Sequence, residues 1–283
     1  MKRKFKIVAD SCCDYPLDQS DRGWIQRVPL NIQVDKTQYV DDESLDGTRF
    51  LRHMLASADA PKTACPSPGQ YQQAIGTDQE EDVYVVTLSG KLSGSYDSAQ
   101  TGVSLLKEDH PDKNVCVLDS KSAAAGEVAL CYKLRALAEQ GLSFSEVVEK
   151  AKDYIKNFST YFVLENLDCL RKNGRLTNLQ SVITSALRLK LVMGGDDGQI
   201  VLRGKCLTTQ SALKRMVEMI EKRYRELADK TRPIFITHCN CPERAEQVKQ
   251  WILERCSAPA AIICRAGGIS SVYASDGGIV VAF

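Results

Sequence analysis

Up to residue 158 the chain repeats one arrangement: a short β-rich apolar run, a polar loop, then a segment with apolar residues at helical spacing. "FKIVAD", "DVYVVTL" and "NVCVLD" read as strands. "SPGQYQQAIG", "SYDSAQTGVSLLKE", "GEVALCYKLRALAEQG" and "SFSEVVEKAKDYIKNF" read as helices, the third closed by Gly141. Strands that alternate with helices are joined by crossovers, which makes a parallel sheet covered on both faces. Between the first two strands, "RVPLNIQV" and "TQYVDD" suggest a short β pair, and "SLDGTRFLRHMLASAD" a helix capped by Ser44.

After Phe158 the order changes. "YFVLEN" is strand-like, "LDCLRKNG" and "LTNLQSVITSALRL" are helical, and "LKLVMGGDDGQIVLRGKCL" reads as a hairpin turning at "GDDG". A long amphipathic helix, "TQSALKRMVEMIEKRYRELADK", leads to the strand "PIFITHC", the helix "PERAEQVKQWILERC" and the strands "AAIICRA" and "GIVVAF". That order predicts a mixed sheet with helices on one face. The expected fold is α/β in two domains: an N-terminal parallel-sheet α/β/α domain over residues 1–158 and a C-terminal mixed-sheet domain over residues 159–283. No long linker separates them, and a cleft between docked domains is a common place for a ligand.

At 283 residues the chain is long enough for two cores. Its 37 basic and 36 acidic residues leave a net charge of +1 without a basic run, so nucleic acid is not expected as a partner. No stretch approaches the roughly 20 apolar residues of a membrane-spanning helix. The start "MKRKFKIVAD" passes from charge directly into a strand, and the expectation is a cytoplasmic protein with no transmembrane segment. The 11 cysteines, odd in number and irregular in spacing, read as free thiols.

The loop "LSGKLSGSY" follows a strand and precedes a helix, where ligands of parallel sheets bind. Gly90 and Gly94 let backbone approach a ligand, and Ser89, Ser93 and Ser95 offer hydroxyls to an anion near a helix N-terminus. A P-loop or a dinucleotide loop would need GK[ST] or GxGxxG, and neither is present. The same residues also fit a plain glycine-rich turn with serine capping the next helix. Thr63 in "PKTACPSPGQY" is a second hydroxyl before a helix, and Arg175 follows Gly174 at the end of a short one, suited to tie helix ends together or to meet an anion. Asp10–Ser11 and Asp119–Ser120 repeat a strand–Asp–Ser pattern that fits turn caps.

"KIVADSCCDYP", "KTACPSP", "VTLSGKLSGSYDSA", "VLDSKSAAAGEVAL", "LDCLRKNGRLT" and "DDGQI" occur in the order and spacing of the DegV family of bacterial fatty-acid-binding proteins, which the chain resembles from residue 6 to about 200 and more weakly to its end. The resemblance implies a two-domain DegV-like α/β fold, with a long-chain fatty acid between the domains. Thr63 and Ser93 would hold its carboxylate beside the Gly94 amide, with Ser89, Tyr273 and Arg175 as further ligand-binding candidates. It implies a binding protein and not an enzyme, without catalytic residues, metal or cofactor. Some members deliver the acid to an ATP-dependent fatty acid kinase subunit. Two departures bear on that partner: "VYASDGG" puts Tyr273 where the family often has histidine, and "KCLTT" offers Leu207 where it often has arginine.

Two other readings use the same loop. An acyl hydrolase would need a base for Ser93, but only His53, His110 and His238 exist and G-x-S-x-G is absent. A small-phosphate or sugar binder would need only the cradle. "HCNC" (His238, Cys239, Cys241) lacks a second ligand pair at zinc spacing and reads as ordinary strand-end packing.

Overall fold

The computed structural model describes residues 4–16, 24–78, 81–179 and 189–283. In chain order the first part contains β1 (Lys4–Asp10), β2 (Tyr15–Pro16), β3 (Ile25–Val28), β4 (Asn31–Val34), β5 (Thr37–Val40), α1 (Gly47–Ala56), β6 (Lys62–Ala64) and α2 (Pro68–Ile75). It continues with β7 (Glu81–Thr87), α3 (Ser95–Asp109), β8 (Val115–Asp119), α4 (Ala125–Glu139) and α5 (Phe144–Lys156). The second part contains β9 (Thr160–Val163), α6 (Asp168–Lys172), β10 (Lys190–Asp196), β11 (Gln199–Cys206), α7 (Thr209–Glu226), β12 (Ile234–His238), α8 (Pro242–Arg255), β13 (Ala261–Arg265), α9 (Gly268–Ala274) and β14 (Ile279–Ala282).

The four-stranded sheet β3-β1-β7-β8 is parallel throughout, as the alternation of strand and helix requires. The second sheet, β11-β10-β9-β14-β12-β13-β2, is mixed, and a small antiparallel sheet β5-β4-β6 flanks the first. The hairpin turns at Asp197 (φ 45°) and Gly198 (φ 82°), the left-handed pair that a two-residue loop demands. Helix α2 starts on a capping box between Ser67 and Gln70.

Several local expectations are corrected. Asp46, not Ser44, caps α1: its carboxylate accepts from Thr48 N and Arg49 N, whereas Ser44 turns back to Asp42. "RVPLNIQV" is divided by Pro29, which offers no N–H. Its first half joins the parallel sheet as β3, and its second half forms the hairpin with β5. Helix α9 has no counterpart in the sequence reading. The helix expected over residues 176–189 falls mostly outside the described residues, and its start is a short 3-10 turn at Thr177–Leu179.

Two features cross residue 159. Strand β2 pairs with β13 at the edge of the mixed sheet, through Pro16–Cys264 and Tyr15–Arg265. Helix α4 packs against β1 and β7 of one sheet and against β12 and β14 of the other. Its residues Val128, Leu130, Cys131 and Leu134 share one core with Phe235, Cys264 and Ala282. A helix covered from both sides is apolar over most of its surface, which is how "VALCYKLRALA" reads apart from Lys133 and Arg135, both partly exposed.

Candidate functional site

The Ser-Gly loop leaves the carboxyl end of β7 and enters α3. Its turn closes on Ser89 O, which accepts from Leu92 N and Ser93 N, and Gly94 is the N-cap of α3. Ser93 Oγ accepts from Ser95 N at 3.2 Å and lies 3.1 Å from Ser95 Oγ. Both glycines approach neighbours closely: a Cβ on Gly94 would lie 3.4 Å from Cys65 Sγ, and one on Gly90 would lie 3.3 Å from Asp119. The Cys65 contact brings the loop against β6, whose central residue is Thr63.

Thr63 sits on β6 opposite Ile32 of β4. Its hydroxyl is 2.7 Å from the Tyr273 hydroxyl. Tyr273 is held there by α9, whose first turn is fixed by the buried Asp41 carboxylate accepting from Gly268 N at 2.6 Å and Ile269 N at 2.9 Å. A Cβ on Gly268 would come within 2.6 Å of that carboxylate, so glycine is required there. The Arg175 guanidinium lies over the Tyr273 ring, 5.6 Å from its centroid. Its Nε donates to Leu92 O at 3.1 Å and its Nη1 to Asn173 O at 2.6 Å, so Arg175 ties the end of α6 to the Ser-Gly loop. Thr63, Tyr273 and Arg175 are thus linked by direct contacts, and Arg175 reaches the residue before Ser93; Tyr273 and Arg175 line the apolar cleft beside them, whereas Thr63 and Ser93 stand behind that lining.

Ser89 is placed differently. It is fully buried, and its hydroxyl donates to Gly198 O at 2.8 Å, clasping the β10–β11 turn against the loop. A Lys121–Asp197 ion pair makes the same crossing. Beside these residues runs an apolar cleft, walled by Leu88, Leu92 and Ala123 from one side and Phe162, Leu164 and Ile200 from the other. Cys12, Arg175 and Tyr273 also line it. The sequence reading did not single out these apolar residues, because a cleft wall and a core wall have the same composition.

Burial raises the Tyr273 phenol, and its bond to Thr63 and the nearby Arg175 work against that rise. Burial likewise raises Asp10 to about 6, against hydrogen bonds donated by Leu88 N and Cys12 N. Asp10 and Asp119 act as the turn caps expected of them: Asp10 accepts from Cys12 N, and Asp119 from Lys121 N and Gly90 N. One set of metal-capable donors comes together among the described residues, Asp10, Cys12 and Glu127, and it is buried. His238, Cys239 and Cys241 form no such set among those residues. Among the described residues, no hydrogen bond joins Ser93 to His53 or His238. The hydroxyl neighbour of Ser93 is Ser95, His53 meets Tyr39 and Asp35, and His238 Nδ1 accepts from Cys241 N. No described helix is long and apolar enough to cross a membrane.

The family model described as an uncharacterised protein of the DegV family matches residues 4–283. A DegV domain-containing protein of Streptococcus pneumoniae is 35% identical over 287 residues, covering 99% of this chain and 98% of its own. A DegV-family protein of Ruminococcus gnavus, whose crystal structure is described with vaccenic acid, superposes with a TM-score of 0.93 at 39% identity over 100% of both chains. The fatty acid kinase (Fak) B3 protein of Streptococcus pneumoniae, solved loaded with linoleic acid, gives a TM-score of 0.86 at 34% identity over 99% of both.

Proposed function

The chain belongs to the DegV family, and from that premise we propose that it binds a long-chain fatty acid, with the acyl tail in the apolar cleft and the carboxylate at the rim. The observation that carries the reading is the sharp division of that space. Its lining is mostly aliphatic and aromatic, and Tyr273 and Arg175 bring polar groups to it, with the Thr63 hydroxyl bonded to Tyr273. A tail of about 14 to 16 carbons gains about 0.8 kcal/mol per buried methylene, or about 11 to 13 kcal/mol before ordering costs. Neutral donors then suffice, since they need only satisfy a carboxylate that would be costly to bury unpaired.

In this reading Thr63, Ser93 and the Gly94 amide hold the head group, Tyr273 supplies one further neutral donor, and Arg175 and Ser89 position the surrounding loops. The protein is a carrier without catalytic residues or cofactor, working in the cytoplasm. The partner class is an ATP-dependent fatty acid kinase subunit, to which the head group is presented. Support for the partner comes from the kinase-associated name of the pneumococcal relative. Tyr273 and Leu207, in place of the family's frequent histidine and arginine, give this chain its own version of that surface.

The test is extraction of the natively purified protein with organic solvent and mass spectrometry of the extract. One fatty acid per chain is expected. An empty extract combined with no uptake of added oleate would overturn the reading, and a bound phosphate or sugar would replace it.

A further inference from the structure

Glu127 stands in the first turn of α4, the only charged residue in "SAAAGEVALC". It is fully buried, and neither carboxyl oxygen has a hydrogen-bond partner of good geometry. Asp10, Cys12 and Glu127 bring their donor atoms within 4.8 Å of one another. The Tyr71 hydroxyl, equally buried and unpartnered, bears on Asp10 and Glu127 from α2.

Asp10 already works for the site. One carboxyl oxygen accepts from Cys12 N at 3.0 Å and the other from Leu88 N at 2.9 Å, so it anchors the backbone from which the Ser-Gly loop departs. Both bonds favour its ionised form. A second ionised carboxylate beside it in a dry pocket would be repelled, and a neutral carboxylic acid could donate to it instead.

We infer that Glu127 keeps its proton at neutral pH and donates it in a hydrogen bond to ionised Asp10, so that a proton held in the base of the parallel-sheet domain sets the geometry of the Ser-Gly loop. Glu127 is therefore a positioning residue. The groups that bear on it are Asp10, Cys12 and Cys13, and those on Asp10 include Ser95 and Tyr71. Asp14 acts on Cys12, and the nearby cation Arg27 acts on Asp14 and Cys13. Burial, and next the Asp10 charge, push the Glu127 carboxyl well above the usual carboxylate range, in keeping with this assignment. The consequence for ligand binding rests on the fatty-acid reading; the proton itself does not.

Two readouts separate those parts. Infrared difference spectra of the ligand-free protein at neutral pH, wild type minus Glu127→Gln, should show the carbonyl stretch of a buried protonated carboxyl. If Glu127→Gln does not fold, the wild type alone decides: the band should disappear when the pH is raised to about 10, where an ordinary carboxyl has long been ionised. Absence of the band at neutral pH overturns the proposal. So does a stoichiometric divalent cation whose chelation is needed before the band appears. Oleate affinity should fall on the alkaline side in wild type and stay level in Glu127→Gln, which should bind within about threefold of wild type at neutral pH, while Glu127→Ala binds about tenfold or more weakly. Equal affinity of Glu127→Ala and wild type overturns the positioning role. A band in a protein that binds no fatty acid upholds the proton and overturns the fatty-acid reading instead.

Discussion

The hydroxyls of Thr63 and Tyr273, 210 residues apart in the chain, lie 2.7 Å from each other. In the free protein each satisfies the other, so a head group arriving between them exchanges one neutral hydrogen bond for charge-assisted ones. Thr63→Ala and Ser93→Ala should each weaken oleate binding by about 1 to 3 kcal/mol, with the thermal midpoint little changed. Wild-type affinity in both variants, measured by calorimetry, would remove the carboxylate from this rim.

Tyr273 should contribute no step of its own to the pH dependence of binding, because burial raises a phenol that already titrates near 10. Tyr273→Phe should cost on the order of 1 kcal/mol, the value of one neutral bond. Tyr273→His should add a step near pH 6.5, with tighter binding on the acid side, since imidazolium favours the bound anion. Affinity measured against pH for the three proteins decides this. Identical profiles for wild type and Tyr273→His would mean that residue 273 does not face the head group.

The clasp between Ser89 and Gly198 should govern exchange more than affinity. Ser89→Ala removes one buried bond, at about 1 kcal/mol, and should speed fatty-acid release in a stopped-flow displacement assay. Gly198→Ala should be worse for folding, since its φ is 82° and the new Cβ would lie 2.5 Å from Ser89 Oγ. If Ser89→Ala instead weakens oleate binding about tenfold or more through slower association while leaving the release rate unchanged, Ser89 does not act through the clasp.

Stability should fall as pH rises from about 5.5 to 7.5. Burial raises Asp10 and Asp14 to about 6, lifts Asp41 above its ordinary value, and pushes Glu127 well above its usual range. The native state therefore holds protons that the unfolded chain releases near pH 4. These contributions are full below about pH 4 and are lost as pH climbs through the folded values. His238 opposes them: burial, and then Arg265, lower its pKa, so the unfolded state gains a proton below about pH 6.5 that the native state resists. Four acids against one imidazole leave a net loss of stability across the window. Urea midpoints at the two pH values measure it, and a higher midpoint at 7.5 would contradict the protonated cluster.

The alternating pattern of the first half made the parallel sheet legible, because periodicity and turn residues are local signals. The hairpin at Asp197–Gly198 was legible for the same reason. What could not be read was partnership. Whether "RVPL" extends a β pair or joins a parallel sheet depends on strands far along the chain. Nor does sequence reveal whether a serine hydroxyl in a glycine-rich loop faces a ligand or a backbone carbonyl. Ser93 and Ser89 are four residues apart and look alike, yet Ser89 is engaged by a turn 109 residues away. Glu127 did carry a signal, a lone charge in an otherwise apolar helix start, but its meaning required Asp10 beside it.

Helix α4 has the same core on its two sides, and β2 stitches the first segment to the far edge of the mixed sheet. A rigid swing of the halves about residue 159 would tear both. Hydrogen exchange should accordingly find the slowest amides of both sheets opening together, as one foldon, with the β10–β11 turn and the rim loops opening far more often. On the fatty-acid reading, cargo would then come and go through small local openings of the rim while the body of the molecule stays shut.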